Sequence, residues 1–219
     1  MAEPARNVQE SIVDRYVAAS RSQQPRLQGA SMEVEIEAEV PRLKTQGKLH
    51  ALRRISEIGR ITYEALRFDG DRSIKNEVIA RYMAAESEER SPKQLTSIAI
   101  NPENYKFKYK GMQNAGGRLA HIFQLSPRKK RVGLFQGELW IDSVTFLPLK
   151  ESGKFVKNPS IFLKKVEFVR EYEIRDGVAI PTRVESTVDT RLVGKAHLTV
   201  AFSGITLPDH TVLLTGESQ

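Results

Sequence analysis

One short stretch constrains this chain more than any other. From Ser31 to Val40 the sequence alternates without a fault, with Met32, Val34, Ile36, Ala38 and Val40 on one side and Glu33, Glu35, Glu37 and Glu39 on the other. Successive side chains of a strand point to opposite faces, so the pattern predicts a β-strand with one apolar and one charged face. Similar one-sided strands recur to the C-terminus, whereas only two stretches show convincing helical spacing. A large sheet must then find a cover for its apolar face, and that cover is where function is to be sought.

Composition sets the outer bounds. With 219 residues, 40% hydrophobic and 28% charged, the chain is globular and fits one domain with an ordered core over about residues 8–206. No apolar run approaches the roughly 18 residues that a membrane-spanning helix needs. The absence of cysteine excludes disulfides, thiolate zinc sites and lipid attachment through an N-terminal Cys, and is compatible with cytosol or periplasm. Met1-Ala2-Glu3-Pro4 reads as an initiator Met set before the start of a processed protein, so an export signal is expected to have been removed ahead of it. The net charge of +7 suits phosphate or anionic lipid, yet it is a small surplus of 34 basic over 27 acidic residues.

Along the chain, Val8, Ile12, Tyr16 and Ala19 predict an amphipathic helix over 8–20, capped by Asn7. Pro41 and Gly47 bracket a hairpin into a strand over 48–55, whose Lys48, His50 and Arg54 share a side and are expected to face the glutamates of the first strand. A third strand covers 59–68. Ile74, Val78, Ile79, Tyr82 and Met83 form the stripe of a second helix over 74–88. Strands alone are predicted thereafter, over 95–100, 105–110, 118–125, 131–142, 146–155, 162–175, 178–190 and 192–206. The strand from Phe162 would reach on the order of 45 Å at about 3.3 Å per residue. Strands of that length coil, giving the sheet a concave side. Val166, Phe168, Tyr172 and Ile174, then Val178, Ile180, Val184 and Val188, then Leu198, Val200 and Phe202 share one face of it.

Catalytic and metal chemistry find no footing in these residues. His50, His121, His197 and His210 are scattered without metal-ligand spacing, no Gly-x-Ser-x-Gly elbow occurs, and Gly111 to Gly117 holds no phosphate-binding fingerprint. No catalytic residue, metal or cofactor is assigned. Nucleic acid is the more serious rival. Tyr105, Phe107 and Tyr109 alternate with Lys106, Lys108 and Lys110, as on sheet surfaces that stack bases, but a half-buried strand has the same pattern and core packing is favoured. Arg128, Lys129, Lys130 and Arg131 form a basic patch in a turn after Pro127, suited to an anionic membrane surface or an acidic partner, although a solvated turn is the commoner explanation.

The order helix, three meandering strands, helix, then an antiparallel run resembles a known superfamily. Gly137-Glu138-Leu139-Trp140-Ile141-Asp142, Phe146-Leu147-Pro148-Leu149, Phe168-Val169-Arg170-Glu171-Tyr172, Ile180-Pro181 and Gly194 carry the resemblance. It is to the periplasmic lipoprotein carriers and outer-membrane lipoprotein-sorting proteins with a LolA/LolB-like fold, and it spans roughly Val8 to Thr206. The resemblance implies a mainly β fold, with a curved antiparallel sheet as an unclosed barrel and about two helices as a lid over an apolar cavity. It also implies a periplasmic location and acyl chains of lipid or lipoprotein as cargo, carried towards the outer membrane. In the carriers an arginine after the Gly-x-Leu of the second strand holds the lid, and Gly47-Lys48-Leu49 places Arg53 at that step. The carriers' proline after this arginine is replaced here by Arg54-Ile55.

Val34, Ile36, Ile61, Tyr63, Phe168, Tyr172, Val200 and Phe202 are the expected cavity lining, with Ile12, Tyr16, Val78 and Tyr82 from the lid. Each would serve a plain core equally well. Arg170 falls in register with Val166, Phe168 and Tyr172, for which a salt bridge is the simplest role. Two alternative functions stay open: a lipid-sensing or signalling module of the same fold acting on an envelope protein partner, and a basic nucleic-acid binder. A solely structural envelope protein would hold no ligand at all.

Overall fold

The computed structural model describes residues 3–158, 163–190 and 194–208. Ten strands form one antiparallel sheet: β1 (Ser31–Val40), β2 (Thr45–Ile55), β3 (Ile61–Gly70), β4 (Tyr105–Ala115), β5 (Arg118–Pro127), β6 (Phe135–Asp142), β7 (Pro148–Phe155), β8 (Leu163–Arg175), β9 (Val178–Thr190) and β10 (Lys195–Thr206). Their order is β3-β2-β1-β10-β9-β8-β7-β6-β5-β4, which leaves β3 and β4 as edges, so the barrel is not closed.

The register aligns one residue from every strand on the concave face. Phe68, Leu49, Ile36, Val200, Val184, Arg170, Glu151, Leu139, Phe123 and Tyr109 stand side by side across the sheet. Eight members are apolar or aromatic, and the two charged ones are neighbours at the middle. On the outer face Lys48 Nζ bridges Glu35 at 2.7 Å and Glu37 at 2.9 Å, and His50 lies 3.3 Å from Glu35, as their alternation requires. Arg54 departs from that expectation. Its β1 partner is Ser31, and it turns instead to Glu64 of β3 at 2.8 Å.

Bulges bend the sheet. The register of β3 against β2 shifts between His50 and Leu52, where Ala65 takes φ 52°, and the extra residue brings both Tyr63 and Phe68 to the concave side. A second shift between Tyr109 and Gly111, with Gly111 at φ 116°, bends β4. At the centre Gly137 and Gly153 face each other, and Phe168 stands opposite Gly153 on the other side. The missing side chains let the two backbones approach, since a Cβ on either glycine would run into the backbone of the facing strand, and beside them the Phe168 ring packs 5.0 Å from Phe135 and 5.2 Å from Phe155.

Two helical covers share the concave face. α1 (Glu3–Gln23) buries Ile12, Val13 and Tyr16 against Phe123, Leu139, Ile141 and Phe168. The helix begins before Asn7, which is therefore not its cap. Val8 is 60% exposed, so the buried stripe passes through Val13 and Val17 rather than Val8. The side chain of Gln23 accepts from Ala179 N at 2.8 Å and pins the end of α1 to β9. The second cover runs through α2 (Arg72–Ile74), a π turn over Lys75–Ile79 and α3 (Ala80–Ser87), and packs Ile74, Val78, Ile79, Tyr82 and Met83 on β1, β2 and β10.

The strand expected over 95–100 is a helix, α4 (Pro92–Ile98). Ser91 and Gln94 close a reciprocal capping box, with Gln94 N donating to Ser91 Oγ at 3.3 Å and Ser91 N to Gln94 Oε1 at 2.8 Å. Pro92 at the first helical position adds to that start signal and outweighs the short apolar run. Phe162, Leu192 and Val193, the expected starts of two strands, lie outside the described residues.

Candidate functional site

Arg53 is the most unusual residue of the concave face. It stands in β2 between Tyr63 of β3 and Met32 of β1, and it is only 7% exposed. Its Nη2 donates to Glu86 Oε2 of α3 at 3.2 Å, its Nη1 lies 3.6 Å from Met32 Sδ, and its guanidinium sits 5.8 Å over the Phe202 ring. Glu86 follows Tyr82 and Met83 by one helical turn, so the face that packs Tyr82 on the sheet also delivers this carboxylate. Among the described residues, Arg53 Nε is buried without a hydrogen-bond partner, and the buried Tyr63 hydroxyl has the Arg53 guanidinium as its polar neighbour.

Four strands along the sheet lies a second pair. Arg170 Nη1 donates to Glu151 Oε2 at 3.3 Å and to Tyr172 Oη at 3.4 Å. Tyr172, through its hydrogen bond, and the Glu151 carboxylate favour the charged Arg170 guanidinium against the cost of burial. The two pairs belong to one cluster: Tyr82 of α3 is within the fields of Glu86, Arg170 and Arg53, and Tyr16 of α1 within those of Glu151 and Tyr172. Burial, reinforced by the carboxylates, pushes Tyr16, Tyr82 and Tyr172 well above the ordinary phenol range and Tyr63 up to about 12. All four tyrosines are therefore neutral hydroxyls at physiological pH. The result is a polar seam where the two covers meet an apolar sheet.

The expected lining residues are distributed on both sides of this seam. Val34, Ile36 and Val200 are buried beneath the second cover with Phe202 and Tyr63 at its margin, while Phe168 is buried beneath α1. Ile61 stands opposite Ile55 at the end of β3, and Tyr172 joins the seam. Ile12, Tyr16, Val78 and Tyr82 all face the sheet from the helices. A cleft of about 540 Å³ opens at the outer end of α1, lined by Val8, Ser11, Ile12, Arg15, His121 and Phe146. Arg15 lies 4.8 Å over the Phe146 ring there.

Tyr105, Phe107 and Tyr109 do not form an open stacking surface. Tyr105 is 1% exposed and its hydroxyl accepts from Phe135 N at 3.2 Å, while Phe107 and Tyr109 pack on Phe123. Arg128, Lys129, Lys130 and Arg131 are exposed in the turn between β5 and β6, where Arg128 donates to Pro102 O at 2.8 Å.

Glu86 and Glu151 are the members of the seam that the sequence reading passed over. Glu151 carried a signal, since it alternates in register with Leu149, Gly153 and Phe155. Glu86 carried a weaker one, at helical spacing from Tyr82.

No family model and no curated protein matches the sequence. Among solved structures the chain is similar to a DUF1329 family protein from Desulfovibrio piger, at 13% identity over 92% of this chain and 93% of that one, with a TM-score of 0.48. It is also similar to a LolA superfamily protein from Nitrosomonas europaea, at 13% identity over 91% and 93% with a TM-score of 0.41. A third is an outer membrane lipoprotein-sorting protein domain from Vibrio parahaemolyticus, at 11% identity over 90% and 92% with a TM-score of 0.35.

Proposed function

We propose that this protein is a periplasmic binding protein for acyl chains of lipids or lipoproteins, which passes its cargo towards the outer membrane. α1 and α3 serve as the lid. In this reading the sheet beneath them is a trough lined by Val34, Ile36, Ile61, Tyr63, Phe168, Tyr172, Val200 and Phe202, and the chain is not an enzyme.

The observation that carries the reading is the latch between Arg53 and Glu86. A helix that merely completed a core would be held by apolar contacts, and an ion pair out of water is no more stable than well-packed hydrophobic side chains of similar volume. What the pair offers is a contact that can be made and broken at a defined place. Breaking it strands a charge on an apolar face, which costs about 3–5 kcal/mol unless another group takes over. The closed position is thereby favoured until something enters. The resemblance of Gly47-Lys48-Leu49 and Arg53 to the lid-holding segment of lipoprotein carriers supports the same reading.

Displacement of a fluorescent fatty-acid probe tests it. Saturable binding at one site, relieved by unlabelled acyl chains, is expected. A protein that leaves the probe in water at every concentration is not an acyl carrier, and its role would then lie with a protein partner.

A further inference from the structure

We propose that the acyl ligand carries an oxyanion at its head, which replaces Glu86 on Arg53 when α3 lifts. The inference rests on the acyl-binding reading and adds to it the chemical class of the ligand.

The charges of the seam make the case. Closed, it holds Arg53 and Arg170 against Glu86 and Glu151, and the four balance. Glu151 is fixed to the sheet in β7, whereas Glu86 belongs to α3, a lid element in the proposed function. Lifting α3 therefore leaves two guanidiniums facing one carboxylate on an apolar surface. A neutral acyl chain entering that space covers the apolar residues but leaves Arg53 uncompensated. A chain with a carboxylate or phosphate head supplies the missing charge.

Hydrogen-bonding capacity points the same way. Glu86 takes up only Nη2 of Arg53, while Nε of Arg53 is buried without a partner among the described residues and the buried hydroxyl of Tyr63 lies beside the Arg53 guanidinium. Arg53 and Tyr63 are cross-strand neighbours, which sets the two side chains together on the concave face. A guanidinium can meet an oxyanion through two parallel N–H donors, and Tyr63, kept neutral by burial, adds a third. The site thus offers an incoming oxyanion more donors than it offers Glu86.

The test compares palmitate, hexadecyl phosphate, methyl palmitate and hexadecanol below their micelle concentrations, by displacement of a neutral fluorescent acyl probe in high salt. Salt screens attraction by the protein's general positive charge, whereas a buried pair is screened much less. The two oxyanions are expected to bind at least about tenfold more tightly than the two neutral ligands. Their relative order distinguishes a carboxylate from a phosphate as the natural head. Arg53→Leu combined with Glu86→Gln should abolish the preference while keeping neutral binding, Arg53→Lys should keep part of it, and Tyr63→Phe should weaken the oxyanions severalfold. Equal affinity for all four ligands, or a preference that survives in the double variant, overturns the inference and leaves acyl binding standing. Failure of all four to bind the wild-type chain overturns both.

Discussion

Arg53 of β2 and Glu86 of α3 approach to 3.2 Å and join helix to sheet across an apolar face. The two differ in exposure, with the Arg53 side chain at 9% and that of Glu86 at 27%. This asymmetry lets the effects of each partner be separated. Arg53→Leu places an apolar group on an apolar face and releases Glu86 to water. The expected change in global stability is within about 1 kcal/mol. Amide exchange in Ala80–Ser87 should nevertheless rise severalfold, with any response in α1 smaller because Gln23 pins its end. Hydrogen–deuterium exchange measured on both proteins checks this. Unchanged protection in α3 would remove Arg53 from the lid.

Glu151 behaves differently because it is the more buried partner of its pair. Its side chain is 9% exposed against 37% for Arg170. Glu151→Ala strands a guanidinium that reaches water only in part, so a loss of about 1–3 kcal/mol is expected in urea unfolding. The loss should be accompanied by faster exchange in α1, whose buried Tyr16 lies within the field of Glu151. A change below about 0.5 kcal/mol would mean that Arg170 finds solvent without rearrangement.

Gly137 is required by contact rather than by backbone angle. A Cβ there would overlap the Ser152 carbonyl oxygen and stand 2.5 Å from Gly153 Cα, all of it backbone that cannot swing away. Gly137→Ala is expected to lower stability by about 2 kcal/mol or more and to disturb the Phe135, Phe155 and Phe168 rings. Thermal unfolding and the aromatic circular dichroism signal report both effects.

Acid should weaken the turn between β6 and β7. Burial alone would raise the Asp142 carboxyl, but the Thr145 N–H and hydroxyl, Arg118 and the Val144 N–H together hold it below its ordinary value of 3.8. A depressed carboxylate stabilises the fold fully above the unfolded value, and that stabilisation is lost as pH falls through the folded one. Asp142→Asn should therefore cost about 1–2 kcal/mol near neutrality. The gap between the two proteins should narrow only below 3.8. Unfolding curves between neutrality and strong acid measure it, and a gap independent of pH would contradict the assignment.

Much of this architecture was legible in the sequence because burial on one face imposes a period of two. The faultless alternation of Ser31 to Val40 survives as a strand with Met32, Val34, Ile36, Ala38 and Val40 buried. Arg53 was legible by the same count, since it alternates with Leu49 and Ala51. Bulges defeat that count. The extra residue at Ala65 carries Phe68 onto the face of Tyr63, a change of parity that no local pattern announces. The segment after Gln94 misled in another way, because Leu95 to Ile100 is apolar enough for a strand and the helix start is marked by Ser91–Gln94 reciprocity and Pro92 instead. The seam was half legible. Its arginines stand out on apolar registers, but their carboxylates come from β7 and α3, and nothing short of the assembled sheet brings those elements together.

Native mass spectrometry of protein purified without detergent shows whether the covered face of this sheet opens to an acyl chain. Co-purified lipid, or a one-to-one adduct on addition of palmitate, is expected, with the adduct population altered in Arg53→Leu. A bare mass for both proteins at every palmitate concentration would contradict that expectation and leave the two helices as permanent parts of a packed core.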